Sequence, residues 1–250
     1  MPFRLPHEVG RRIELPGAPR FVHPSEITQR MVPGKRFSRV DELSGAAAAK
    51  PIAVVNRNSS TSASGTSHAV DLPASLVSGN LLVFAICQSN GRDFSVPSGW
   101  TQLSENQQSG KVTLFVCYKQ SDGSEGSSVT ATCSGDGSAC HRTWQIENWQ
   151  GTPEASTSSL GTLDPPSITP TWGATESLFL PVVAIHNEGT AADGAPTNYD
   201  NFLRLEQAPN RAAGWFAERI TTTTTENPGT FQSGTVDEWV VSTTTAVQGA

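Results

Sequence analysis

The side chains that could do chemistry in this 250-residue chain are five histidines, four cysteines, 23 carboxylates and eight tryptophans and tyrosines. The histidines (His7, His23, His68, His141 and His186) are scattered, and none sits in an HExxH pair. A zinc site needs Cys and His in close register, and the spacings of Cys87, Cys117, Cys133 and Cys140 contain no CxxC. Cys133 and Cys140 flank the six residues Ser134 to Ala139, which read as a hairpin turn, so a bridge across it is geometrically open. Small buried thiols are the favoured reading. P-loop and GxGxxG signatures are missing, and no Gly-x-Ser-x-Gly stands where a strand turns into a helix. Paired carboxylates could hydrolyse glycosides. However, Asp93, Asp122, Glu125, Asp136, Asp193 and Asp200 all fall in turn-like segments that suit solvated carboxylates. Calcium would want an Asp-x-Asp-x-Asp-Gly loop, which does not occur. The sequence therefore predicts no catalytic, cofactor-binding or metal-binding residue. Aromatic residues near strand ends are the better binding clue, because sugars stack on them. Trp100 and Tyr199 read as structural plugs, and Trp172 and Trp149 remain the candidate glycan contacts.

Composition narrows the class. Charged residues make up 16% and hydrophobics 36%, and the net charge is −6. The charge is too low for a disordered chain, since six Trp and ten Phe require burial. Bulk acidity argues against nucleic acid as a partner. No run approaches the roughly 20 apolar residues of a membrane helix. The N-terminal residues show no apolar secretory core, so no secretion signal and no membrane partner are expected.

Two regions differ sharply. Residues 1–50 hold nine basic and five acidic residues, a net +4, and six of the 17 prolines. Proline holds such a chain extended and blocks helix. Apolar residues recur every few positions. The segment reads as an extended basic arm that gains order only on another surface. Its expected docking residues are Phe3, Leu5, Arg11, Arg12, Ile13, Phe21, Val22, Arg36 and Phe37, with a short linker over residues 41–50.

Residues 51–250 read as all-β. Leu81–Cys87 and Val112–Tyr118 are continuous apolar runs expected of buried strands, and Val129–Cys133 alternates. Further strands are expected at 144–149, 178–185, 212–224 and 237–247, with turns at 122–126 and 134–138. A weak internal repeat relates about 68–150 to 170–250. Pro97-Ser98-Gly99-Trp100 matches Pro196-Thr197-Asn198-Tyr199, and Phe115–Lys119 matches Trp215–Arg219. Ser124-Glu125 likewise matches Thr225-Glu226. The expected fold is a jelly-roll-like two-sheet sandwich, with two similar β halves as one way to build it.

Several short pieces occur in a telling order. They are Asp71-Leu72-Pro73 with Gly79-Asn80-Leu81-Leu82, then Pro97–Thr101, then Tyr118-Lys119 with Asp122–Glu125. Glu226–Phe231, Trp239 and Ala246-Val247 close the series. On these, residues 65–250 resemble β-sandwich modules of virion proteins from tailed bacteriophages and related particles. The resemblance implies a non-enzymatic structural appendage or decoration subunit of head, neck or tail, sometimes contacting host glycans. It implies assembly in the bacterial cytoplasm and residence in the virion. Expected partners are capsid, portal, neck or tail proteins, met through the arm, and further copies of the chain. The alternative is a carbohydrate-binding module for host surface polysaccharide; a glycan hydrolase is the remote third.

Overall fold

The computed structural model describes residues 50–108, 110–156, 159–186, 192–207, 212–233 and 239–250. The nine docking residues expected in the arm, and also His7 and His23, lie outside the described residues. Residues 49–250 form one compact unit.

That unit is all-β. The first half of the body supplies β1 (Ala53–Asp71), β2 (Leu81–Ser89), β3 (Phe94–Ser95), β4 (Thr101–Gln108), β5 (Val112–Gln120) and β6 (Ser128–Glu147). The second half supplies β7 (Trp149–Ala155), β8 (Ser159–Leu160), β9 (Thr175–His186) and β10 (Ala192–Gly194). It continues with β11 (Asp200–Gln207), β12 (Ala212–Thr223), β13 (Gln232–Ser233) and β14 (Val240–Gly249). One antiparallel sheet runs β1-β6-β2-β5-β4, with β3 beside β6. The other runs β7-β14-β9-β12-β11, with β8 beside β14. Each sheet thus comes from one half of the chain, and the two have the same strand order. The halves meet at Asn148, whose φ of 55° separates the end of β6 from the start of β7. Asparagine is among the few residues that accept this left-handed conformation readily.

Strand periodicity explains the layers. On β2, Leu81, Val83, Ala85 and Cys87 face the opposite sheet, while Leu82, Phe84 and Ile86 face outward. On β9, Leu178, Leu180, Val182 and Ala184 face inward, while Phe179, Val183 and Ile185 face outward. All these residues are buried, because each sheet's outer face is covered by its own half of the chain. Val70, Leu72, Phe94 and Trp100 cover the first sheet. Leu163, Ile168, Tyr199 and Phe231 cover the second. Burial on both faces is the reason these strands read as continuous apolar runs. The two-sheet sandwich is as expected from the sequence, and it is one sandwich with a shared inner core.

The matched turns are equivalent in space as well. Trp100 N–H donates to the Pro97 carbonyl at 3.1 Å, and Tyr199 N–H donates to that of Pro196 at 3.1 Å. The preceding Gly99 and Asn198 both have positive φ. Each turn delivers its aromatic ring onto the outer face of its own sheet; Trp100 meets Phe84 edge-on at 4.9 Å.

One expectation needs correction. Residues 134–138 do not turn back, because they lie within the 20-residue strand β6. The polar segment through Thr66 is also strand, pairing with β6 as β1 over 15 matched positions. Backbone ladder bonds hold the polar stretch of β1 to β6, so apolar periodicity never marked that stretch. The glycines are there for close approach: a Cβ on Gly137 would overlap the Ser89 carbonyl. As a result Cys133 and Cys140 do not face each other. They point to opposite faces of one strand, and Cys140 is instead the register neighbour of Cys87 on β2. All four thiols are free and buried.

Candidate functional site

Three charges stand on or beside the inner faces, where the strand pattern calls for apolar side chains. Glu218 follows Phe216 by two residues on β12, and Arg142 lies between Cys140 and Trp144 on β6. Cys140, Trp144 and Phe216 all belong to the inner core. Arg57 approaches from edge strand β1. Glu218 and Arg142 are only 4% and 5% exposed.

Glu218 is the hub. Arg57 donates to it through Nε at 2.6 Å and Nη2 at 2.5 Å, one bond to each carboxylate oxygen. Arg142 Nη2 donates at 3.1 Å, Trp144 Nε1 at 2.7 Å and Asn201 Nδ2 at 3.0 Å. Bidentate geometry of this kind suits the planar guanidinium. Asn201 owes its position to backbone: its φ is 53°, and the β11–β12 register slips between Asp200 and Leu203. This bulge turns the Asn201 carbonyl toward Arg142, which donates to it from Nη1 at 2.6 Å.

The cluster is not charge-balanced. Two guanidinium groups share one carboxylate, leaving a net positive charge at the mouth between β1 and β11. Burial lowers the pKa of Arg142 to about 10, with Glu218 opposing the shift, so it remains a cation at neutral pH. Its Nε–H is buried with no hydrogen-bond partner among the described residues. Asp200 is exposed and forms no ion pair with either arginine among the described residues. An open cleft of about 340 Å³ lies here, lined by Arg57, Asn58, Ser59, Arg142, Asn201, Phe202 and Leu203.

The residues singled out in the sequence lie elsewhere. Trp149 is half-buried against the inner core and donates its indole N–H to the Gly79 carbonyl at 2.9 Å. Trp172 is half-buried against the outer cover of the second sheet and donates to Ser177 Oγ at 3.0 Å. The structure does not bring these two together, and neither lines the cleft. His68 and His141 are both buried. Burial pushes the pKa of His141 down to about 4 and also lowers that of His68. His141 Nε2 accepts the Asp71 N–H at 2.8 Å, and His68 Nδ1 sits 2.6 Å from Ser62 Oγ. Among the described residues, no group of three His, Cys, Asp or Glu is placed to hold a metal ion.

The sequence reading missed Arg57, Arg142, Asn201 and Glu218. The available signal was a charge at an inward position of an apolar strand, as at Arg142 and Glu218. Comparison with known protein families, curated proteins and solved structures returns no match.

Proposed function

We propose that this chain is a non-enzymatic structural subunit of a virion, an appendage or decoration protein anchored by residues 1–50. In this reading the sandwich of residues 51–250 is displayed from the particle and contacts the host surface. One observation carries it: residues 52–247 supply both sheets, the shared inner core and both outer covers. A body so equipped can be carried by a separate attachment segment, and the basic, proline-punctuated sequence of residues 1–50 has the composition of one. Edge-strand addition would give the arm affinity through backbone bonds with little demand on sequence.

Co-sedimentation tests this reading. Residues 1–250 and 51–250 are each mixed with particles that lack the protein. The full chain is expected to pellet with the particles and the truncated body to stay in solution. Equal pelleting of both removes the arm as anchor. Failure of both, with the body still binding host cells, removes the virion assignment and leaves a free carbohydrate-binding protein.

A further inference from the structure

The outer cover of the first sheet holds one thiol with a base and a donor beside it. Cys133 Sγ lies 3.8 Å from His68 Nε2 and accepts a hydrogen bond from Gln88 Nε2 at 2.9 Å. Gln88 Nε2 is also 3.5 Å from His68 Nε2, so the three groups meet. The tautomer that donates Nδ1–H to Ser62 Oγ, 2.6 Å away, leaves His68 Nε2 to take the thiol proton. His68 is fully buried, and burial lowers its pKa, so its ring is an uncharged base at neutral pH. The Gly135 carbonyl lies 3.2 Å from the sulfur. The exposed Arg92 side chain covers Gly135, where an added Cβ would stand 2.7 Å from Arg92 Nε. A base, an amide donor and a nearby guanidinium favour thiolate over thiol.

The other three thiols are placed differently. Cys87, Cys117 and Cys140 are completely buried, whereas Cys133 is 5% exposed. Burial also pushes the thiols of Cys87 and Cys117 up, away from the thiolate. An opening this narrow at Cys133 admits a small reactant and shuts out a peptide or a bulky disulfide. One orphaned atom indicates which small reactant fits. Gln88 is completely buried, and its Oε1 has no hydrogen-bond partner among the described residues. That oxygen belongs to the same amide whose nitrogen touches the sulfur. A hydroxyl placed on the sulfur would supply the missing donor. Hydrogen peroxide is small and uncharged, and it leaves a hydroxyl of this kind on a thiolate.

We propose that Cys133 is a site of oxidation by hydroperoxide, which converts its thiolate to a sulfenic acid held by Gln88. The sulfur attacks one peroxide oxygen, so an S–O bond forms as the O–O bond breaks. Sulfur is oxidised and the peroxide is reduced. The thiol proton, carried on His68 Nε2, passes to the departing hydroxide, which leaves as water. The new S–O–H then donates to Gln88 Oε1. The site is independent of how the chain is anchored, so its test uses the full chain without particles. The protein is treated with hydrogen peroxide at neutral pH in the presence of dimedone, which traps sulfenic acid, and peptide mass spectrometry follows the adduct at each cysteine. Cys133 should be labelled at least about tenfold faster than Cys87, Cys117 or Cys140. His68→Gln keeps the exposure of the sulfur but removes the proton acceptor, and should slow labelling at least about tenfold. Circular dichroism establishes that this variant is folded. Should it not fold, Arg92→Gln at the exposed rim carries the same test and should slow labelling about threefold. No adduct at Cys133, equal labelling of all four thiols, or full-rate labelling of the folded variant would each overturn the proposal.

Discussion

The two halves of the body share a plan and differ at one position that matters. Both run the same strand order. Both lay an aromatic ring on their outer face through the same turn, at Trp100 and at Tyr199. Each also carries on its matching strand a cation paired with a glutamate: Lys119 with Glu125 at 3.1 Å, and Arg219 with Glu226 at 2.7 Å. One residue before each cation, the halves part. The first half has Tyr118, packed against the inner core. The second has Glu218, which gathers two arginines. One scaffold therefore tolerates either an apolar seal or a charged cleft at this inner margin. The charged version exists only because β1 and β6 of the other half bring the arginines to meet it.

Breaking that difference should give the largest effect. Glu218→Gln leaves two guanidinium groups without their counter-ion in a buried setting and should destabilise by about 3–5 kcal/mol. Tyr118→Phe, at the matching place, should stay within about 1 kcal/mol. Urea midpoints with unchanged slopes would measure both. Equal losses would refute the asymmetry.

A second contrast concerns pH. Among the described residues, the two buried histidines, His68 and His141, both belong to the first half. Each stays neutral when folded and gains a proton more easily when unfolded, so the unfolded state binds more protons below about pH 6.5. Stability is fully present above that pH and falls as pH drops, until about pH 4, where folded His141 protonates too. The loss should be on the order of 3 kcal/mol from His141. Urea unfolding from pH 7.5 to 4 should show it, and His141→Gln should flatten much of that slope.

The outer covers provide a subtler comparison. Tyr199 donates its hydroxyl to Glu226 at 2.9 Å, and burial beside that carboxylate raises its pKa. Tyr199→Phe leaves part of the Glu226 demand unmet and should cost about 1–2 kcal/mol. The Trp100 side chain makes no hydrogen bond among the described residues and packs edge-on against Phe84, so in its cover shape alone is at stake. The smallest effect belongs to Lys119→Gln. Lys119 also reaches Asp122, which is 61% exposed, and the lysine itself is 21% exposed. The change should cost no more than about 1 kcal/mol, because Glu125 keeps its hydrogen bonds from Ser121 Oγ and the Asp122 N–H; Arg219→Gln should cost more, because among the described residues it leaves the Glu226 carboxylate only the Tyr199 hydroxyl. A larger loss at Lys119 would mean the two pairs are energetically equivalent.

Much of this was legible along the chain. The runs Leu81–Cys87 and Val112–Tyr118 announced buried strands, because strands covered on both faces lose their alternation. The offset of about 100 residues between Pro97–Trp100 and Pro196–Tyr199 located two equivalent turns, because a left-handed Gly or Asn before the aromatic ring is a local requirement. The polar part of β1 and the middle of β6 were not legible, because their ladder is made of backbone bonds and their residues are mostly Ser, Thr, Asn and Gly. For the same reason the glycines of 135–137 suggested a turn where they serve close packing.

What the sequence determined by itself was therefore the all-β class, the division near residue 50 and the doubled plan of the body. These follow from periodicity, proline and local turn chemistry, all of which act over a few residues. The tertiary structure alone decided that each half makes one sheet and that the thiols of Cys133 and Cys140 point apart. It also brought Arg57, Arg142, Asn201 and Glu218 to one cleft. Those residues are up to 161 positions apart, and no local rule links them. They meet because two sheets stack face to face, and a buried carboxylate is stable only where that stacking supplies its cations.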